Sequence, residues 1–413
     1  MPVSAARGAR LVRRSMLGFE SIVDPRCDRG KSHALEGMLR LLVACLASGK
    51  PDFRGAEEFA SDIEPRALRG LGLKNGGPSD TAMYETVGRL SCEGFREILW
   101  KQVRADLDSK AVVNDLFEGG VASFDGKGAG SGTGAAPCSS VRQSVCDEQG
   151  TLCWNAYALR ACLTSSLARP TLDQEFIQTK GSEPPAFRQV FARVVQRFPK
   201  LFRYVTADAN MTGEENARLV TEARRVYLFG LKGNRKHLYE QAQEALEGAP
   251  ILLTATERAR GYEVTRQLFR VPVPDKCLFG ATQFWCVRQT SVDSKGDSSV
   301  ENRVFVTSIP GGELSDEQCL RLVRLHWGIE NGPNWTSDIL LREDSKTPCA
   351  IGEGVVVMSW LRSLAYNLVS VFRAHLPLKD RRLRQWRRAA ELLRDVFVFG
   401  PLPADEEPAV VLG

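Results

Sequence analysis

Histidine is scarce in this chain, with four in 413 residues. The eleven cysteines are scattered singly with no CxxC pair, so a zinc site of ordinary ligand spacing is not expected. Dispersed cysteines without a secretory leader point to free thiols in a reducing compartment, that is, a cytoplasmic setting. Neither the Walker spacing nor a GxGxxG opening a helix after a strand is present, which disfavours a nucleotide-binding loop. The most apolar segment, HALEGMLRLLVACLASG, is interrupted by Glu36 and Arg40 and is too short to span a bilayer. It reads as a buried core helix, and no membrane partner is expected.

What is present is enough apolar material, 43% of residues, to bury a sizeable core divided among two or three domains. Net charge is only +5, yet basic residues cluster at Arg7, Arg10, Arg13 and Arg14 and again in LKDRRLRQWRRAAELLRD, Leu378 to Asp395. Such clusters suit a polyanion, and equally a solvated helix face.

Residues 1–111 carry a helical pattern with polar turns at SGKPD and KNGGPSD, Gly49 as the stop of one helix and Ser79 or Asp80 as the cap of another. From Val112 strand signals appear. GGVASFDGKGAGSG reads as a buried strand, Val121 to Phe124, ending in Asp125 and a glycine-rich loop. TLCWNAYALRACLTS reads as a strand or pair, FRQVFARVVQRF as an amphipathic helix, and FRYVTADAN as a short strand ending at Asp208. A mixed sheet flanked by helices is expected over 112–247, short strands of a β-rich insertion over 248–312, more of the core over 313–396, and a loose tail over 397–413.

Between Leu314 and Thr347, Ser315 with Gln318 makes a capping box, so a helix begins there with an apolar stripe through Leu320, Val323 and Trp327. Glu330 shares a face with His326 and Trp327, three and four positions back. A carboxylate on a partly buried wall needs a cation or donors, and Asp125 and Asp208 are its candidate companions at strand ends.

The runs VASFDGK, YVTADAN, YLFGLKGN, RGYEVTR and RLHWGIEN, in this order, resemble the H-repeat-associated (ISAs-type) transposases, a branch of the DDE insertion-sequence transposases. DPRCDRGKSHALEGMLRLLVACLASG and GGPSDTAMYETVGRL resemble the helical domain that accompanies them. The resemblance implies an α/β (α+β) fold, with an RNase H-like mixed-sheet core, a β-rich insertion and a helical amino-terminal domain. It implies catalytic and metal-binding acids at Asp125, Asp208 and Glu330, two Mg2+ or Mn2+ ions, cleavage of double-stranded DNA at transposon ends, and attack of the freed 3′ hydroxyl on target DNA. A homodimer on DNA is the implied assembly. Physically, three carboxylates can hold two cations about 4 Å apart, one at the attacking and one at the leaving oxygen. The chain departs from the family at ENGPNW, where Gly332, Pro333 and Asn334 stand before Trp335 and the family writes a leucine and a histidine. A proline there predicts a broken or kinked helix just past Glu330. The alternatives are a transposase-derived protein that binds DNA without cutting it, and an RNase H-like nuclease without strand transfer.

Lys127 and Lys232 follow strand ends and are candidate phosphate contacts, or they solvate turns. Arg260 and Arg266 are candidate DNA contacts, or members of cross-strand ion pairs with acids such as Glu263. His326 either touches a phosphate, orients a carboxylate, or is a packed, hydrogen-bonded residue. Asp338, Glu343 and Asp344 match acidic family positions, as a spare metal ligand or a solvated acidic face.

Overall fold

The structure is a computed structural model and describes residues 18–399, except 29, 30, 180, 260, 275, 276, 345–348 and 378. The arginines at 7–14, Arg260 and the tail beyond 399 lie outside the described residues. Helices α1 (Leu35–Ala47), α2 (Phe53–Asp62), α3 (Pro65–Gly70), α4 (Asp80–Arg89) and α5 (Phe95–Asp108) come first. Ser79 caps α4 by accepting from the Ala82 amide, and Gly49, at φ +79°, turns the chain out of α1 while the Lys50 amide reaches back to the Cys45 carbonyl. The buried side of α4, Met83, Thr86 and Val87, faces its neighbours α2 and the later helix α11. It is a packing helix.

Strands β1 (Val121–Thr133), β2 (Arg142–Val145), β3 (Leu152–Leu163) and β4 (Thr171–Phe176) follow, then α6 (Glu183–Arg197), β5 (Tyr204–Ala207), α7 (Glu214–Glu222), β6 (Val226–Leu231) and α8 (Lys236–Leu246). Next are β7 (Leu253–Ala259), β8 (Tyr262–Pro272), β9 (Gln283–Val292) and β10 (Ser298–Thr307), then α9 (Asp316–His326), a π-turn over Glu330–Asn334, α10 (Trp335–Ile339), α11 (Gly354–Ala374) and α12 (Trp386–Phe399). Among the described residues the strands form one sheet in the order β2-β3-β1-β5-β6-β10-β9-β8-β7, with β4 sharing the outer edge of β3. β1 runs antiparallel to β3 and parallel to β5, and β5 runs parallel to β6. Three antiparallel strands followed by two parallel ones, with helices on both faces, make the RNase H-like mixed core. β10 pairs antiparallel with β6, so β7–β10 extend the same sheet.

Alternation along β1 and β5 decides what each face meets. Ala122, Phe124, Val205 and Ala207 bury one face against Phe187, Phe191 and Val194 of α6, with the Phe124 and Phe187 rings 4.8 Å apart. Val121 and Tyr204 point the other way, into a cluster with Leu320 and Val323 of α9. On that second face Ser123, Asp125, Thr206 and Asp208 follow in register.

One local expectation is corrected. The glycine-rich run after Asp125 is not a loop, because β1 continues to Thr133 paired along β3. The glycines make room for aromatic rings of β3. A Cβ on Gly126 would lie 2.3 Å from the Tyr157 Oη, and one on Gly132 would lie 2.5 Å from Trp154 Cζ2. Helix α11, long and apolar enough to cross a membrane, is wholly buried inside the protein along its apolar window, where it packs on α1, α5 and α12.

Candidate active site

Asp125 and Asp208 are brought together by strand register. Phe124 pairs with Ala207 on the parallel neighbour β5, so the next residue of each chain is an aspartate on the same face. Opposite Asp208 on β6 stands Gly230, whose missing side chain leaves space, since a Cβ there would sit 3.6 Å from Asp208 Oδ1. Beneath the two acids runs a row of buried hydroxyls. Thr206 donates to Ser123 at 2.8 Å, Ser123 pairs with Thr164 at 2.6 Å, and the His326 Nδ1 lies 3.2 Å from Thr206 Oγ1.

Glu330 arrives from the other side of the site. The capping box predicted at Ser315 and Gln318 is formed, and α9 ends at His326. The chain then widens into the π-turn over Glu330–Asn334, which contains Pro333. The kink expected past Glu330 therefore takes the form of a wider turn, closed by the Asn334 amide donating to the Ile329 carbonyl at 3.0 Å. Gly332 is buried in this turn, where the Arg169 side chain would lie 3.2 Å from a Cβ, and Arg169 also donates to the Gly328 carbonyl.

Asp208, Lys232, Arg303, His326, Trp327 and Glu330 line a pocket of about 290 Å³. Asp125 is not among the lining residues; it accepts from the Asn334 Nδ2 at 2.8 Å through Oδ2. Burial, then Glu330, then Asp208 push the Asp125 carboxyl up to about 7. Glu330 is exposed along the pocket wall, yet partial burial of its carboxyl raises its titration; Arg303 opposes this and Asp208 adds to it. Among the described residues no three His, Cys, Asp or Glu side chains sit at metal-ligand spacing. The three acids share one electrostatic field, and their oxygens are the hard donors that a small divalent cation prefers.

The other candidates named from the sequence separate by environment. Lys232 is exposed and donates to Asp208 Oδ1 at 3.2 Å, so it stands at the pocket mouth. Lys127 is 5% exposed, and its ammonium is taken by Asp338 and, at 3.2 Å, by Asp344. Arg266 pairs across the strands with Glu257 at 2.7 Å and donates to Gln289. His326 is buried, and its imidazole is pushed down to about 4, mainly by burial, so it is neutral. Glu343 is neither a spare ligand nor a solvated acid, because it is fully buried against Arg160, 2.5 Å away, and Ser359.

Three further residues at the site are not singled out by the sequence. Asn334 lies in the stretch that departs from the family pattern, and its spacing of four from Glu330 is the available signal. Gly230 and Arg303, whose guanidinium lies 4.0 Å over the Trp327 ring, are set there by sheet pairing, which leaves no local mark.

Comparison with known proteins places the chain in a family. The family described as Transposase DDE domain matches residues 157–368, and the one described as DDE_Tnp_1-associated matches residues 17–102. Two Escherichia coli (strain K12) proteins align over 201 residues: YbfL at 26% identity and the "H repeat-associated putative transposase YhhI" at 25%. Each alignment takes in 44% of this chain and 51% of the relative, so the chain spans about half the length of these curated relatives. Among solved structures, piggyBac transposase in its synaptic complex with hairpin DNA is similar at a TM-score of 0.47 and 9% identity, over 95% of this chain and 80% of that one. That last likeness is too low to bear on function. The first match takes in just over half of the residues, and the chain belongs to the Transposase DDE domain family.

Proposed function

We propose that this protein is a DDE transposase that cuts double-stranded DNA at transposon ends and joins the freed 3′ hydroxyl to target DNA. One observation carries the reading: Asp125 and Asp208 are register neighbours at adjacent parallel strands, and Glu330 acts electrostatically on Asp125 from a separate turn. Members of this family generally use divalent metal ions. The residues present fit such ions by the chemistry of their donors: three carboxylates from separate elements supply hard oxygens, and burial, then Glu330, then Asp208 disfavour the charge on Asp125 until a cation balances it. Asp125 and Asp208 would hold the ions from the sheet and Glu330 from the π-turn. When bound, Mg2+ or Mn2+ activates the attacking oxygen and stabilises the leaving one.

The chain's own groups do the rest. Asp125 would hold an ion in its ionised form. Lys232, exposed at the mouth, offers a point charge to a phosphate. His326, buried and neutral, holds the α9 end against Thr206 and is not the proton acceptor in this account. Two DNA ends processed together call for a homodimer, acting in the cytoplasm on the bacterial nucleoid.

The experiment supplies Mg2+ or Mn2+ with DNA carrying the element's ends and looks for 3′ nicks and for joining to a target plasmid. Nicking and joining support the reading. Nicks without joining identify a nuclease, and DNA binding without nicks identifies a transposase-derived binding protein.

A further inference from the structure

Asn334 is 8% exposed and sits at the end of the five-residue turn that begins with Glu330. Its Nδ2 donates to Asp125 Oδ2 at 2.8 Å, a bond to a carboxylate and so of the stronger, shorter class. Its Oδ1 is buried without a protein partner, an acceptor that a structure seldom leaves unmade at no purpose. Asp125 has no ion-pair partner among the described salt bridges: its cross-strand neighbour Arg160 gives its guanidinium to Glu343 instead. The side-chain donor that meets Asp125 is therefore a neutral amide, which can orient the carboxylate without cancelling its charge.

We infer that Asn334 is the positioning residue that fixes the Asp125 carboxylate for a divalent cation, and that it couples this carboxylate to Glu330 through their shared turn. The inference rests on the functional reading above. Holding Oδ2 in a hydrogen bond removes the rotational freedom of the carboxylate and leaves Oδ1 for the ion. The turn sets both groups at once. The Pro333 ring, with no N–H to offer, and the Asn334-to-Ile329 backbone bond set the wide register that buries Asn334 against β1 while Glu330 faces the pocket. A leucine side chain at 334 would fill much the same space and could not donate.

The test titrates Mn2+ into the full chain without DNA and reads the free ion by its EPR signal, for the wild type, Asn334→Leu, Asn334→His and Asp125→Asn. Asn334→Leu is expected to bind Mn2+ roughly tenfold to a hundredfold more weakly, with unchanged circular dichroism. Asn334→His keeps a ring N–H and should stay close to wild type, whereas Asp125→Asn should lose the site. Should Asn334→Leu fail to fold, Asn334→Ala, which leaves space instead of a clash, takes its place with the same expected loss. Wild-type affinity in the Leu or Ala variant, alongside loss in Asp125→Asn, overturns the positioning role and leaves the functional reading standing. An equal loss in Leu and His overturns the donor argument. Wild-type affinity in Asp125→Asn overturns the functional reading itself.

Discussion

Asp125 and Arg160 are paired residues on neighbouring strands, yet they belong to two differently built regions. Around Arg160 the ion pairs are closed: its guanidinium meets Glu343, Gln174 and Ser359, and Lys127 nearby is held by Asp338 and Asp344, while the buried Arg362, whose Nε and Nη1 have no hydrogen-bond partner among the described residues, adds its charge to the field of Glu343. Burial opposes the ionisation of Glu343, but Arg160 outweighs it and holds that carboxyl below its ordinary range. Around Asp125 the neighbours are two more acids and one neutral amide, and burial first, then the two acids, hold its carboxyl well above its range against the amide's hydrogen bond. One region spends charge on holding the helices to the sheet. The other leaves Asp125 unpaired, while Lys232 and Arg303 offset part of the charge on Asp208 and Glu330.

The largest effect expected of breaking this contrast is at the acids. Asp125→Ala should reduce nicking of end-containing DNA to background while DNA affinity in a gel-shift assay stays close to wild type. Persistent cutting would refute the assignment. In the matched region, Arg160→Met should lower unfolding free energy in urea by about 3–5 kcal/mol, because Glu343 is left buried and unpaired. Adding Glu343→Leu should recover most of that loss, and no recovery would show that the pair is not the unit.

Asp106, at the carboxyl end of α5, separates burial from like-charge repulsion. Its carboxyl is pushed up to about 8 by burial alone. A raised acid contributes stability that is fully present below about pH 4 and lost as pH rises through about 8. Asp106→Asn should therefore gain on wild type in thermal unfolding as pH climbs from 5 to 9, with little difference at pH 4; a pH-independent difference would contradict this. A smaller loss, about 1–3 kcal/mol, is expected of Gly126→Ala, whose Cβ meets the Tyr157 hydroxyl. Tyr157→Ser in the same chain should restore stability.

The same contrast explains what can be read from residue order. Asp208 is legible because a short apolar run ends in it, and α9 is legible because Ser315 and Gln318 are three residues apart. These are local signals. Gly126 to Gly132 read as a loop because glycine's local preference is for turns, whereas the rings that require Gly126 and Gly132 come from Tyr157 and Trp154 on another strand. Lys127 reads as a phosphate contact because its partners Asp338 and Asp344 lie more than 200 positions along the chain. Helix α8 is hidden between two strand-rich stretches, and Asn334 stands out only as a departure from a pattern. Spacing places residues along one element, and burial by distant elements decides whether their charge is free.

The most direct measurement is the anomalous scattering of Mn2+ soaked into crystals of the full chain. The account predicts a peak bridging the carboxyl groups of Asp125 and Asp208, lost in Asp208→Asn. Peaks only at distant surface acids, or none at all at saturating Mn2+, would contradict it.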